Sequence, residues 1–272
     1  WRDWSSDVCS SDLTNRVIPV AALFLLTVSA LLVLAAPQVM SVLLDADWSA
    51  PQLAEQRESV IAFARFCLPQ VFFYGMFVLV GQVLNARGRF GPMMWAPIAN
   101  NVISVAVLVA YLLAFGPATP AEQRGAFTSG QEALLGIGST VGIAAQLLIL
   151  LPYLRAAGVR VRPRFDWRGV GLGHTLHLAI WTVLFVVVNQ VAYVVVVRLA
   201  SGGTAAAEDG TGITIYSNVM LVTMVPHSII TVSLATAILP RLSAAAAADD
   251  MGRLAGTLGS TLRTALSVVV PF

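Results

Sequence analysis

This sequence predicts an all-α fold, a polytopic bundle of transmembrane helices, and three observations carry that reading. Hydrophobic residues make up 57% of the 272 and charged ones only 11%, with a mean hydropathy of +0.80. A soluble domain holds about 25% charged residues. No charged side chain occurs between Phe66 and Ala86, nor from Phe90 until Glu122. Each run is long enough to cross about 30 Å of hydrocarbon at 1.5 Å per residue. The connections between such runs alternate between arginine-rich and acidic. Only helices and closed barrels satisfy their backbones inside a bilayer, and these runs lack the alternating polarity of a barrel strand.

In chain order, residues 1–13 stand apart from the rest. They are polar and aperiodic, begin without Met, and lack the apolar core and cleavage site of a signal peptide. They are expected to be non-native sequence. Because the other end stops at Pro271-Phe272 inside an apolar run, the chain is expected to be an internal fragment. Six complete spans are expected, near residues 17–44, 59–86, 93–114, 133–154, 171–197 and 213–239, with part of a seventh from about residue 258. Between the second and third, Gly88 suits the left-handed turn past a helix end. Arg87 and Arg89 there favour both the negative helix terminus and anionic head groups. Pro92 and Pro97 fall at or near the next helix start, where a missing N–H costs least.

Loop charge sets the expected orientation. Loops after the second, fourth and sixth spans carry Arg87 and Arg89, then Arg155, Arg160, Arg162, Arg164 and Arg168, then Arg241 and Arg253. The intervening loops hold acids, among them Asp45, Asp47, Glu55, Glu58, Glu208 and Asp209. The positive-inside rule makes the arginine side cytoplasmic, and Trp95, Tyr153 and Trp167 fall at that side as an aromatic belt. All sixteen basic residues are Arg, which with the Ala, Val and Gly excess reads as coding bias. A net charge of +2 with no accumulated basic face excludes nucleic acid as a partner. Cys9 and Cys67 are the two cysteines, too few for a disulfide framework or a metal cluster.

Several residues raise questions of chemistry. Gly136 through Gly142 has the look of a dinucleotide fingerprint but follows no strand; Gly138 and Gly142 instead suit close helix packing. His174 and His177 share a helix face without further metal ligands, so no metal is expected. His227 follows Pro226 in the middle of the sixth span, where it either lines a hydrated path or bonds a neighbouring helix as neutral imidazole. Arg65 lies about 9 Å along the helix from Ser59. Its guanidinium either snorkels to the outer interface or holds an anionic head group such as pyrophosphate, for which the bidentate fork is suited. Arg198 is read the same way, with more weight on snorkelling. Asn100, Asn101, Gln146, Asn189, Gln190 and Asn218 form the remaining intramembrane polar set, expected mostly to bond between helices at about 0.6 kcal/mol each. No catalytic constellation emerges, so no enzyme activity and no cofactor is expected.

Three sequence blocks at matching spacing, Arg65-Phe66-Cys67-Leu68-Pro69, Leu84-Asn85-Ala86-Arg87-Gly88-Arg89-Phe90 and Ala96-Pro97-Ile98-Ala99-Asn100-Asn101, resemble the MurJ (MviN) lipid II flippases. That family belongs to the superfamily holding the MATE-type exporters. The resemblance covers nearly everything after residue 16. It implies that residues 17–155 are four helices of an amino-terminal lobe and 156–170 a cytoplasmic inter-lobe linker. Residues 171–272 would then give two helices and the start of a third in the carboxy-terminal lobe. It further implies a multi-pass protein of the bacterial cytoplasmic membrane that moves a lipid-linked peptidoglycan precursor by alternating access. Partners would be that precursor, membrane lipids and wall-synthesis or division proteins. The seventh and eighth family helices border a central cavity, so Asn189, Gln190 and Asn218 join Arg65 and His227 as substrate-cavity candidates, with Arg87 and Arg89 as cytoplasmic head-group contacts.

Departures from the family pattern are visible. The Arg and Asp of its first two helices fall outside this chain, Val219 stands near an Arg of the eighth helix, and Val196 near a sodium-binding carboxylate of the seventh. Rival readings are another lipid-linked oligosaccharide flippase, a multidrug exporter, or a non-transporting scaffold for cell-wall synthesis. An exporter should carry intramembrane carboxylates, and the second to sixth spans hold none.

Overall fold

The computed structural model describes the backbone of residues 4–117, 125–159, 172–206, 212–229 and 248–269, with scattered positions between 234 and 245; side chains of residues 4–14, 172–179, 226–227 and 268–269 are not described. The described chain is a bundle of α-helices: α1 (Trp4–Leu34), α2 (Ala36–Leu43), α3 (Ala54–Cys67), α4 (Gln70–Ala86), α5 (Gly91–Phe115), α6 (Ser129–Ala156), α7 (Leu172–Ala205), α8 (Ile213–His227) and α9 (Met251–Val269). Among the described residues, five helical segments are long and apolar enough to cross a membrane: Asn15–Leu34, Pro51–Ala86, Gly91–Phe115, Ser129–Ala156 and Ile180–Ala205. The chain is therefore a multi-pass helical membrane protein. It divides into two compact units, Trp1–Leu199 and Ala200–Phe272.

In the first unit α6 is the central post. It packs against α3, α4 and α5, while α1 packs on α4 and α2 on α3. Glycines make the close approaches. A Cβ at Gly136 would lie 2.5 Å from Phe66 Cβ, and one at Gly138 2.5 Å from Val107 Cγ2. One at Gly142 would strike the Asn100 side chain. The run that resembles a nucleotide motif is thus a packing stripe. Leu84, Leu150 and Val80 are fully buried, joined by Met76, Phe77, Leu147 and Leu154. Most other apolar side chains of the spans face outward, with Leu113 83% exposed and Met94 80%; hydrocarbon solvates such faces at no cost.

Two of the expected continuous spans are broken. The first is interrupted at Ala35, the N-cap of α2, with Pro37 at the start of α2. Proline lacks the N–H that would continue the ladder. The second breaks at Leu68-Pro69, where backbone bonds tighten from the Leu68 N–H donating to Ala64 O at 2.8 Å to the Val71 and Phe72 N–H groups donating to Leu68 O and Pro69 O at 3.1 Å. Between α2 and α3 the acidic turn is held by Asp45, whose side chain accepts from Asp47 N–H. Thr128 and Gln131 form a reciprocal capping box at the start of α6.

In the second unit Thr204 Oγ1 accepts from Ile213 N–H at 3.1 Å and fixes the entry to α8. The expected start of a seventh span at about residue 258 lies inside α9, which begins at Met251 and is not among the helices long and apolar enough to cross a membrane. Asp250 explains the earlier start, because its carboxylate accepts from Arg253 N–H at 2.9 Å as an N-cap. Met251, Leu258, Leu262 and Leu266 are exposed along one face of α9. Ser260, Thr264 and Ser267 fall on the opposite face and donate their hydroxyls to carbonyls of their own helix.

Candidate functional site

The break between α3 and α4 is bonded by polar side chains of α6. Thr140 donates its hydroxyl to Phe66 O at 2.6 Å. Gln70, the first residue after the break, donates its amide to Ser139 Oγ at 2.7 Å and to Thr140 Oγ1 at 3.2 Å. Cys67 bonds the Ser139 side chain. A helix interrupted inside a bilayer leaves carbonyls that must find other donors, and for Phe66 O the donor is the Thr140 hydroxyl of α6. Arg65 sits in the last turn of α3 immediately before this break, with its side chain exposed. A cation at a helix carboxyl end meets the negative end of the backbone dipole. Its fork of donors keeps the geometry that matches phosphate or carboxylate oxygens.

At the arginine-bearing end, α4 and α6 finish in the same way. Gly88 (φ 70°) and Gly158 (φ 78°) take the left-handed conformation. Arg89 N–H reaches Leu84 O at 2.8 Å and Val159 N–H reaches Leu154 O at 3.2 Å, the six-to-one bond of a Schellman end. Arg87 crosses from one terminus to the other, its Nη1 donating to Ala157 O at 3.5 Å. Arg89 is exposed. Trp95 and Tyr153 meet edge to face at this end, with centroids 6.1 Å apart. Of the two head-group candidates, Arg87 is thus half committed to holding the α4–α6 ends together, while Arg89 projects away.

The remaining candidates are not drawn into one cluster. On α7 Asn189 and Gln190 are exposed, and Asn189 Nδ2 donates to Phe185 O of its own helix at 2.9 Å. Among the described residues no hydrogen bond or ion pair joins Arg65, Asn189 and Gln190. Asn218 is exposed on α8 in the second unit. The side chains of His227, His174 and His177, together with Arg160, Arg162, Arg164, Trp167, Arg168 and Arg241, lie outside the described residues. Gln146 is buried at 3% exposure, and Asn100 is half-buried against Gly142. The sequence reading missed Gln70, Ser139 and Thr140. Its available signal was a polar side chain directly after Pro69 in an otherwise apolar run.

Apolar helices around a polar seam, with an exposed arginine at the break and arginine-bearing glycine turns at one end, define a multi-pass helical membrane protein. Its family can be stated more closely. The family model described as "Lipid II flippase MurJ" matches residues 7–272, and the chain belongs to the MurJ lipid II flippase family. It is 28% identical over 138 residues to a "Probable lipid II flippase MurJ" of Haemophilus influenzae, covering 51% of this chain and 24% of that protein. It is also 30% identical over 127 residues to a protein of the same description from Vibrio cholerae, covering 47% and 22%. The match thus spans about a quarter of the length of these curated relatives.

Proposed function

We propose that the protein to which this chain belongs carries a lipid-linked peptidoglycan precursor, lipid II, across the bacterial cytoplasmic membrane by alternating access. The physical problem is the head group. A sugar–peptide–pyrophosphate entering hydrocarbon loses its water, at several kcal/mol for each unpaired polar group. A cationic cleft between two lobes shields it while the polyprenyl tail stays in lipid. On this reading residues 17–155 and 171–272 belong to different lobes, with 156–170 as the cytoplasmic connector. Rocking of the lobes opens the cleft to each side in turn. The arginine loops face the cytoplasm, where Arg89 meets anionic head groups. No bond is broken in the cargo and no cofactor is needed.

The observation that carries the reading is the family match over residues 7–272, supported by the exposed Arg65 beside a helix break. Complementation of a flippase-depleted strain with the full-length parent tests it. Wild type should rescue growth, whereas Arg65→Ala should fail at equal membrane abundance. Rescue by every variant at Arg65, Asn189, Gln190, Asn218 and His227 would favour a scaffold that recruits wall-synthesis or division proteins. Cysteine labelling tests the orientation. Positions 87 and 160 should be unreachable from outside intact cells.

A further inference from the structure

α9 is 19 residues long, yet it is not among the described helices apolar enough to cross a bilayer. What sets it apart is how its side chains are sorted around the axis at about 100° per residue. Met251, Leu258, Leu262 and Leu266 fall together in one strip, and all four are exposed. Leu254, Thr257, Thr261 and Ala265 form the neighbouring flank and are half-buried, with the Thr261 hydroxyl donating to Thr257 O at 2.8 Å. Arg253, Ser260, Thr264 and Ser267 lie opposite the leucines and are exposed. Arg263, also exposed, shares the remaining border with Gly252 and Gly259, so nothing bulky separates it from the apolar strip. No acid occurs from Met251 to Phe272, and the carboxylate of Asp250 is occupied as the cap of the helix.

A helix buried in a bundle is apolar all round, and so is a spanning one; an apolar strip facing a polar one belongs at a boundary between two media. From this arrangement we propose that α9 lies along the membrane surface as an interfacial helix. Its Met251, Leu258, Leu262 and Leu266 strip rests in the acyl boundary, and Arg263 meets the phosphates of anionic lipids at the level of the helix axis. Arg253, on the watery side, adds attraction at longer range. The occupant of the strip follows from two observations. The spans of this chain hold it in a bilayer, so hydrocarbon is always within reach. α9 also carries no aromatic residue, whereas a strip built to seat a protein partner is enriched in them. The inference rests on the membrane spans and not on the transport reading.

Spin labelling of the full chain tests this, in a Cys9→Ala, Cys67→Ala background and in vesicles of equal parts phosphatidylcholine and phosphatidylglycerol. Nitroxides at positions 251, 258, 262 and 266 should collide with oxygen in preference to a water-soluble nickel chelate and report a common depth. Those at 253, 260, 264 and 267 should favour the chelate. A helix threading the membrane would instead descend about 22 Å between 251 and 266 at 1.5 Å per residue, and a steady gradient of that kind would overturn the proposal. Shielding of the apolar strip from both reagents would place protein over it, and open access of the chelate would leave it in water; either result overturns the proposal too. Charge is read at position 258. Phosphatidylcholine alone should raise chelate access there severalfold, and Arg253→Gln with Arg263→Gln should erase the difference between the two lipid compositions. Equal access in both compositions with the arginines intact would sink the proposal, and that comparison stands even if the glutamine variant does not fold. A difference surviving in the folded glutamine variant would do the same. Because no cargo is moved in this assay, its failure leaves the complementation result untouched.

Discussion

Thr140 donates its hydroxyl to the backbone oxygen of Phe66 at 2.6 Å, so that α6 closes the gap that Pro69 opens between α3 and α4. The bond does what a continuous helix would have done for itself. It also ties the recognisable Arg65–Pro69 block to the glycine-lined face of α6, where Gly136 lets Phe66 approach. The break is therefore a built feature of the bundle. Thr140→Val keeps the shape and deletes the donor. It should lower stability by about 1–2 kcal/mol, more than the average interhelical bond because a carbonyl in hydrocarbon is left without a partner. Thr140→Ser should restore most of it. Denaturation of the detergent-solubilised full chain by sodium dodecyl sulfate checks both, and a Gln70→Leu cycle should show coupling between positions 70 and 140.

The first five spans were legible in the sequence because a bilayer demands a long uncharged stretch and little else. The events inside the spans were less so. Pro37 and Pro69 were visible as residues, yet hydropathy averages over them and returns a single span where the backbone makes two helices. Thr140 and Ser139 were overlooked because hydroxyls weigh little on any hydropathy scale, and their partner, the Phe66 carbonyl, is invisible in a list of side chains. Asp250, which caps α9, drew no notice in the sequence. At the site, Arg65 could be singled out from the sequence.

Glycine stripes permit a comparison of opposite sign. At Gly136 an added Cβ meets the Phe66 side chain near its backbone end at 2.5 Å, a contact that cannot swing away. Gly136→Ala should therefore cost about 1–3 kcal/mol as overpacking. At Gly256, in the interior of α9, nothing lies within 4 Å of the added carbon. Gly256→Ala should be neutral or stabilise by up to about 1 kcal/mol through helix propensity alone. The two variants in one unfolding series separate packing from backbone entropy. Equal effects would remove the claim that Gly136 is there for contact.

The paired turns at the arginine end depend on backbone handedness and not on space. Gly88 and Gly158 have φ of 70° and 78°, with nothing within 4 Å of an added Cβ. Gly88→Ala and Gly158→Ala should each cost about 1–2 kcal/mol from the left-handed conformation. Asn at either position should cost less, since it tolerates that region. Arg87→Ala removes the bond to Ala157 O and should lose under about 1 kcal/mol, given its 3.5 Å length and partial exposure. Thermal unfolding with alanine and asparagine side by side distinguishes strain from lost contact.

Function can be read apart from folding at Asn189 and Arg65. The Asn189 amide is satisfied by Phe185 O of its own helix and is exposed, and a local bond of this kind ties α7 to no neighbour. Asn189→Ala should leave the unfolding midpoint within the equivalent of about 0.5 kcal/mol. Arg65 is exposed as well, so Arg65→Gln should fall within the same margin. On the proposed transport reading, a growth defect from either substitution in the full-length parent would then be a defect of handling cargo and not of assembly. For Arg65 the charge and the fork can be parted further. Arg65→Lys keeps the charge without the bidentate geometry and should rescue growth only partly if the guanidinium grips phosphate. Full rescue by lysine would reduce Arg65 to a snorkelling cation.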